Sequence, residues 1–223
     1  MSVTRGFLVT VEGGEGCGKS TLLQGLAKKL SDESRTVLLT REPGGTPLAE
    51  SVRKLVLDPP EGDVWSPLAE ALLMNAARSD HVQKKILPAL QRGEWVLCDR
   101  YSDSTLVYQG VGGVSPNVLK AMQAEVTREA RPDLTLILDA SPEDLLQRRI
   151  NRATSDVFEN RPRAFHDAVR NAFLEIAKTN PERCVVLDAM PEQLDGWLGL
   201  DDDQAKQRAT GKAAWARHDV RIE

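Results

Sequence analysis

A glycine-rich loop between a predicted strand and a predicted helix is the feature that most constrains this chain. The apolar run 7–11 leads into Glu12, the spacing Gly13-x-x-x-x-Gly18-Lys19-Ser20 follows, and Leu22-Leu23 begins an apolar helical pattern. This is the phosphate-binding loop pattern, in which glycines let successive backbone N–H groups turn inward around a phosphate. The positive end of the helix adds to that attraction. The loop therefore predicts a nucleotide-binding site between a strand and a helix.

Two side chains of the loop have chemistry of their own. Lys19 is expected to reach the β- and γ-phosphates of a nucleotide, and the Ser20 hydroxyl is expected to ligate Mg²⁺. Cys17 has two interpretations, a small buried filler or a reactive thiol activated by the helix end. The expected phosphate-contacting set is Gly13, Gly14, Glu15, Gly16, Cys17, Gly18, Lys19, Ser20 and Thr21.

Strands alternate with helices along the rest of the chain. Apolar runs at 37–39, 94–101, 133–139 and 183–188 predict four further strands, and helical spacing of apolar residues separates them. One of the predicted helices extends from Pro67 through Leu90. The alternation predicts a three-layer α/β fold with a mostly parallel five-stranded sheet.

Charged residues follow two of the predicted strands directly. Arg41 and Glu42 lie at the tip of the second strand, and Asp99 and Arg100 end the third. In an open parallel sheet, ligands bind at the edge formed by these carboxyl ends. Asp99 is a candidate magnesium-side carboxylate, because phosphate-loop folds commonly supply one from the end of a strand.

Composition limits the classes of partner. The chain has 223 residues, of which 41% are hydrophobic, so we expect one domain over 1–200 followed by a polar tail over 201–223. The 29 basic and 33 acidic residues give a net charge of −4, which provides no overall field for a nucleic acid polymer or an anionic membrane.

No apolar stretch reaches 18 residues and residues 1–5 lead straight into the first strand, so we expect a cytoplasmic protein. The three scattered cysteines indicate neither a disulfide framework nor a zinc site.

Four motifs together resemble bacterial thymidylate kinases, over roughly residues 5 to 190. They are the loop 12–21, the run Thr40-Arg41-Glu42-Pro43-Gly44-Gly45-Thr46, the segment Asp99-Arg100-Tyr101 with Ser104-Thr105 and Tyr108-Gln109-Gly110, and Arg131-Pro132-Asp133-Leu134-Thr135. The resemblance implies a P-loop nucleoside monophosphate kinase with a small helical lid at about 148–163. It also implies that ATP and Mg²⁺ are used to convert dTMP to dTDP, and that the protein is a homodimer.

The resemblance assigns roles to single residues. Arg100 matches the clamp on the acceptor phosphate, Glu15 the residue that holds the 3′-hydroxyl and a magnesium-bound water, and Tyr108 the residue that crowds the 2′ position. Arg78 and Thr105 match positions that hydrogen-bond thymine. The implied catalytic set is Lys19, Arg100, Arg152, Glu15 and Asp99, and the implied metal set is Ser20, Asp99 and Glu15. The implied acceptor set is Arg41, Glu42, Pro43, Met74, Arg78, Arg100, Ser104, Thr105, Tyr108 and Gln109.

Two departures from the family pattern leave alternatives open. Met74-Asn75 stands where the family commonly has Phe-Tyr, so the usual stacking aromatic is absent and another pyrimidine monophosphate, such as dUMP or a modified base, is an alternative acceptor. Val157 stands where the lid usually has arginine, although Arg152 remains, and the basic stretch 147–152 has a second interpretation as a solvated charged face. A nucleotide-binding switch or ATPase, and a weakened relative retained for its interactions, are the other classes considered. The chain lacks the Asn-Lys-x-Asp motif of GTPases.

Overall fold

The computed structural model describes residues 5–60, 63–141, 158 and 161–189. The strands are β1 (Leu8–Gly13), β2 (Val37–Arg41), β3 (Trp95–Asp99), β4 (Leu134–Asp139) and β5 (Cys184–Asp188). The helices are α1 (Lys19–Asp32), α2 (Pro47–Leu57), α3 (Pro67–His81), α4 (Leu87–Gln91), α5 (Ser102–Val111), α6 (Pro116–Val126) and α7 (Arg163–Thr179), with a π-helical turn at Val82–Ile86. The predicted α/β fold with five strands is confirmed.

The strands form one sheet in the order β2-β3-β1-β4-β5. Every neighbouring pair is parallel, with Val11 opposite Asp99, Arg41 opposite Asp99, and Gly13 opposite Leu138. The glycine loop, Arg41 and Asp99 therefore meet at one edge, where the carboxyl ends of the central strands lie side by side.

Side chains of β1 alternate between the two faces of the sheet. Val9 and Val11 pack with Leu22 and Leu23 of α1 in one buried cluster. Leu8 belongs to a second cluster on the opposite face, with residues of β3, the π-helical turn and α4. Glu12 shares the face of Leu8 because the two are separated by an even number of residues, and this is the face that carries α5.

The predicted helix 67–90 is interrupted in the structure. α3 ends at His81, a π-helical turn covers Val82–Ile86, and α4 begins at Leu87. Pro88 has no N–H with which to continue an α-helical ladder, and the N–H of Leu87 bonds instead to the carbonyl of Val82. The proline thus explains the break that helical spacing alone did not predict.

Two segments singled out in the sequence fall outside the described residues. They are most of the proposed lid, including Arg152 and Val157, and the tail 201–223. Among the helices that the structure does describe, none has the length and apolar character needed to cross a membrane.

Candidate active site

The glycine loop has the backbone that its sequence requires. Gly13, Gly16 and Gly18 have φ angles of 131°, 80° and 94°, and a Cβ on Gly13 would lie 2.4 Å from the carbonyl oxygen of Leu138. No side chain caps the N-terminus of α1, so its first N–H groups are left for an anion. Cys17 is fully buried, as the filler interpretation expects.

The polar side chains of the loop lie close to Asp99. The Ser20 hydroxyl donates to Asp99 Oδ2 at 3.2 Å. Lys19 Nζ donates to the carbonyl oxygen of Gly14 at 2.8 Å, so the ammonium group lies over the loop itself. Thr21 is exposed in the first turn of α1.

The residues beside the loop fit a magnesium ion with few protein ligands. Ser20 and Asp99 supply hard oxygen donors, and Mg²⁺ is usually bound by one or two protein groups plus phosphate oxygens and water. Within residues 5–60, 63–141, 158 and 161–189, no cluster of three or more His, Cys, Asp or Glu side chains forms a metal cage. Glu15, the third expected ligand, pairs with Arg100 and Tyr108 instead.

A cleft of about 100 Å³ opens next to the loop and gathers most of the expected acceptor residues. All of the acceptor set except Arg41 line it, together with Glu15. The lining residues from that set are Glu42, Pro43, Met74, Arg78, Arg100, Ser104, Thr105, Tyr108 and Gln109. The residues come from the loop after β2, from α3, from the turn after β3 and from α5, which the fold brings together at the carboxyl edge of the sheet.

One end of the cleft is built on Arg78. Its Nε donates to Glu42 Oε2 at 2.6 Å, and its Nη2 donates to Thr105 Oγ1 at 3.0 Å. The side chains of Arg78 and Glu42 are each 3% exposed. Burial acts to lower the pKa of Arg78. The charge of Glu42, the hydrogen bond to it and the electrostatic effects of Tyr101 and Glu12 together outweigh burial and raise this pKa above its usual value.

Glu42 is itself held by a histidine that sequence reasoning did not single out. His81 Nδ1 lies 3.0 Å from Glu42 Oε1, and its Nε2 lies 2.8 Å from Thr40 Oγ1. His81 is completely buried. The network from Thr40 through His81 and Glu42 to Arg78 therefore satisfies the polar groups at this end of the cleft without solvent.

The other end of the cleft is built on Arg100. Its Nη2 donates to Glu15 Oε1 at 2.6 Å and to the Tyr108 hydroxyl at 3.1 Å, while Nη1 donates to the Gly13 carbonyl at 2.9 Å and to Ser104 Oγ at 3.1 Å. Arg100 has a φ of 63°, which is uncommon for a residue with a side chain. One guanidinium group thus joins the glycine loop to the cleft.

The electrostatics at this end keep Glu15 ionised. Burial acts to raise the pKa of Glu15, but the charges of Arg100 and Lys19 outweigh it and lower that pKa to about 2. The pKa of Tyr108 is raised well above its usual value, mainly by burial. Glu15 is therefore a carboxylate and Tyr108 a neutral hydroxyl at neutral pH.

Arg41 does not line this cleft. Its guanidinium pairs with Glu50 at 3.1 Å and faces a second cleft of about 330 Å³, which Ser20 and Asp99 also line. Arg41 and Glu42 are consecutive in extended backbone and project to opposite sides, so only one of them enters the first cleft. That residue is Glu42.

Arg53 and Phe158 are among the lining residues that the predicted site did not include. Arg53 of α2 donates from Nη1 to the Pro43 carbonyl at 3.0 Å and lines the cleft. Phe158 packs edge-on against Tyr108 with ring centroids 5.6 Å apart. An aromatic residue within the lid motif was a visible signal for Phe158, whereas nothing in the local pattern distinguished Arg53 from other helix arginines. Arg152 lies outside the described residues.

Comparisons with known proteins identify the family. A family model for thymidylate kinase matches residues 11–195. A thymidylate kinase of Caulobacter vibrioides is 46% identical over 207 residues, which cover 92% of this chain and 99% of the relative. A thymidylate kinase of Bradyrhizobium sp. (strain ORS 278) is 52% identical over 189 residues, or 83% of each chain. The crystal structure of thymidylate kinase from Ehrlichia chaffeensis superposes with a TM-score of 0.65 at 35% identity, over 82% of this chain and 93% of that one. The chain belongs to the thymidylate kinase family.

Proposed function

We infer that this protein is a nucleoside monophosphate kinase that transfers the γ-phosphoryl group of ATP to dTMP, giving dTDP and ADP. Membership of the family supports the reaction and the donor. The observation that carries the residue assignment is the pair of contacts made by Arg100, which reaches the Gly13 carbonyl on one side and Glu15 on the other. A cation at this junction stands where two phosphorylated ligands would meet.

The donor side is assigned to the glycine loop. Backbone N–H groups of residues 13–18 and the N-terminus of α1 would surround the ATP phosphates, and Lys19 would leave the loop carbonyls to pair with them. Ser20 and Asp99 would hold Mg²⁺, which neutralises phosphate charge when bound. The pairing of Glu15 with Arg100 favours a role toward the acceptor sugar over direct metal ligation.

The acceptor side divides into a phosphate end and a base end. Arg100 suits the dTMP phosphate because a guanidinium offers two parallel donors to phosphate oxygens. Arg78 and Thr105 suit the polar edge of thymine, with Met74 and Phe158 as apolar walls. Tyr108, held by Arg100 and Glu15, is placed to crowd a 2′-hydroxyl. Pro43, Ser104 and Gln109 complete the cleft.

Alignment and charge neutralisation account for the chemistry that the protein has to supply. Phosphoryl transfer needs little covalent participation by the protein, so holding two polyanions in line is the main task. Arg152 stays the predicted source of additional transition-state charge.

The domain boundary near residue 200 stays a prediction as well. ATP-dependent synthesis and three buried free cysteines fit a cytoplasmic enzyme.

A homodimer is part of the proposal. Leu68 and Leu72 are 47% and 53% exposed, and they lie one turn apart on α3. Val118 of the neighbouring α6 is 40% exposed. Large apolar side chains on adjacent helices fit a helix-packed interface. Sedimentation of the wild type against Leu72→Glu tests this, with a shift of the variant to monomer expected.

A coupled ADP-release assay over a panel of monophosphates tests the proposed reaction. We expect turnover with dTMP, at least tenfold weaker use of dUMP, and loss of transfer in Lys19→Ala with an unchanged circular dichroism spectrum. Preference for dUMP or a modified base would redirect the assignment to another pyrimidine kinase, the alternative considered because Met74 replaces the usual stacking aromatic. ADP release that is independent of any acceptor would support an ATPase and overturn the proposal.

A further inference from the structure

Glu12 is a completely buried carboxylate one residue before the glycine loop turns. Neither the sequence motifs nor the expected substrate contacts gave it a role. Burying an ionised carboxylate is costly unless hydrogen bonds compensate for the lost water. Its partners therefore indicate what the position is retained to do.

The partners of Glu12 lie in the segment that carries Arg100. The backbone N–H of Tyr101 donates to Glu12 Oε1 at 2.8 Å, and the Ser104 hydroxyl donates to Oε2 at 2.6 Å. The same Ser104 oxygen accepts from Arg100 Nη1 at 3.1 Å. Burial raises the pKa of Glu12 to about 7, so the ionised form predominates above that pH. Ionised Glu12 accepts the hydrogen bond from the Ser104 hydroxyl, and the lone pairs of Ser104 are then directed toward the guanidinium.

Glu12 also fixes the backbone beside Arg100. The left-handed φ of Arg100 is a conformation that persists only where neighbouring contacts hold it. The N–H of Arg100 donates to the carbonyl of Val11 at 2.9 Å, and the next N–H, that of Tyr101, donates to Glu12. Consecutive residues of β1 thus anchor both sides of this strained residue.

We propose that Glu12 is a positioning residue for phosphoryl transfer, which holds the Arg100 guanidinium in place through the Ser104 hydroxyl and the Tyr101 N–H. The inference rests on the proposed function in one respect, namely that Arg100 contacts the acceptor phosphate. Asp103 is the other carboxylate buried below α5, and its partners are Arg183 at 2.6 Å and Gln123. It therefore provides a comparison, since the bonds of Asp103 do not include Arg100 or Ser104. The charge of Asp103 raises the pKa of Glu12, so removing it favours the ionised Glu12 that accepts from Ser104 and keeps the proposed contact.

Glu12→Gln tests the contact with almost no change of shape. If the glutamine Oε1 accepts from the N–H groups of Tyr101 and Ser104, its NH₂ group faces the Ser104 hydroxyl, which needs an acceptor there. If the amide is flipped, its NH₂ group faces those two N–H donors instead. Ser104→Ala removes the same link without altering the buried carboxylate. Asp103→Asn neutralises the neighbouring carboxylate and leaves the link intact.

We expect Glu12→Gln and Ser104→Ala to lower kcat by about ten- to a hundredfold, as displacement of an aligned group does. The KM for ATP should change by less than about threefold, because the donor contacts stay. Asp103→Asn should lower kcat by less than about threefold.

A double-mutant cycle decides whether Glu12 acts through Arg100. Its second background is Arg100→Lys, chosen to retain a cation and measurable turnover. If Glu12 acts through Arg100, Glu12→Gln should reduce kcat by less than about threefold there, because the guanidinium that it orients is already gone. Equal, multiplying losses in both backgrounds, or an equal effect of Asp103→Asn, would overturn the inference. Should Glu12→Gln fail to fold, the cycle with Ser104→Ala carries the same decision.

A readout without turnover separates this inference from the proposed function. The hydrogens on Arg100 Nη1 and Nη2, which donate to Gly13, Ser104, Glu15 and Tyr108, give NMR signals that exchange slowly with water when the guanidinium is held, and Glu12→Gln should speed their exchange by at least about tenfold. Unchanged exchange overturns the positioning role even if dTMP is phosphorylated. Faster exchange supports it even if the wild-type enzyme is inactive with dTMP, an outcome that would refute only the function.

Discussion

Arg78 and Arg100, two of the arginines that line the proposed acceptor cleft, differ in how completely the protein satisfies their guanidinium groups. Arg78 and its partner Glu42 are each 3% exposed, and His81 continues the network into the interior. Arg100 and Glu15 are 15% and 19% exposed, and their contacts face the glycine loop. At the base end, the contacts of Arg78 are therefore complete before any ligand binds. At the phosphate end, Arg100 is held by partners that a bound phosphate could replace.

This difference matches what the two ends have to recognise. A neutral base edge is distinguished by fixed donors and acceptors, which lose selectivity if they can move. A dianionic phosphate attracts a guanidinium strongly and can take it from a carboxylate. A kinase of this type needs a rigid end for identity and an exchangeable end for charge.

Arg100→Ala is the change with the largest expected effect. Transfer should fall by about a thousandfold or more, since a charge-stabilising donor at the reacting group is removed. Thermal unfolding should also shift to lower temperature, because Glu15 loses the charge that lowers its pKa, while the circular dichroism spectrum should stay that of a folded protein. A variant that kept near-full kcat would contradict the role of the phosphate end.

Glu42→Ala tests the rigidity of the base end. Removing one partner of a buried ion pair leaves Arg78 as an uncompensated charge and should cost roughly 3–5 kcal/mol of the free energy of unfolding. Lys28→Ala, which breaks the exposed pair with Asp32, is the control and should cost less than about 1 kcal/mol. Equal losses in urea denaturation would remove the contrast between buried and exposed pairs.

The pH dependence of stability should differ between two glutamates of the same loop. The pKa of Glu15 is about 2 when folded and 4.5 as a reference, so its stabilising contribution is complete above pH 4.5 and is lost as the pH falls toward 2. Burial, and then the charge of Asp103, raises the pKa of Glu12 to about 7, so its contribution declines as the pH rises from 4.5 to 7.

Denaturation of the wild type, Glu15→Gln and Glu12→Gln at pH 3, 4.5, 6 and 7.5 measures these two slopes. Glu15→Gln should flatten only the acid side, and Glu12→Gln only the window from 4.5 to 7. At about 1.4 kcal/mol per pKa unit, each slope is worth at most roughly 3 kcal/mol. The reverse assignment would mean that the charges around the loop have been misread.

Met74→Phe has the smallest expected effect and sharpens the description of the base end. An aromatic ring in place of the thioether should lower the KM for dTMP by a few-fold, because stacking is worth about 0.5–1.5 kcal/mol beyond buried area. The ratio of dTMP to dUMP use checks whether the gain is selective. An unchanged KM would show that Phe158 and the neighbouring aliphatic groups already cover the base.

The sequence predicted the secondary structure and the glycine loop better than the buried polar contacts. The glycine loop and the five strands follow from local patterns and motif spacing, because each is encoded within a few consecutive residues. The acceptor residues were implied by the resemblance to thymidylate kinases. His81, Arg53 and Glu12 escaped notice because their importance comes from partners distant in the chain. Arg41 was assigned with Glu42 to one cleft, although the alternation of extended backbone allows only one of them to enter it.

That alternation limits how β2 can vary in length. Inserting one residue ahead of Arg41, with the start of the strand kept in register, would place the arginine where Glu42 now meets Arg78, so that two guanidinium groups would share one dry site. A substitution in the strand alters single contacts. A shift of the register by one residue would replace the negative charge of Glu42 in the cleft wall with the positive charge of Arg41. Insertions and deletions in relatives should therefore be tolerated in the turn before β2 and excluded from the strand itself.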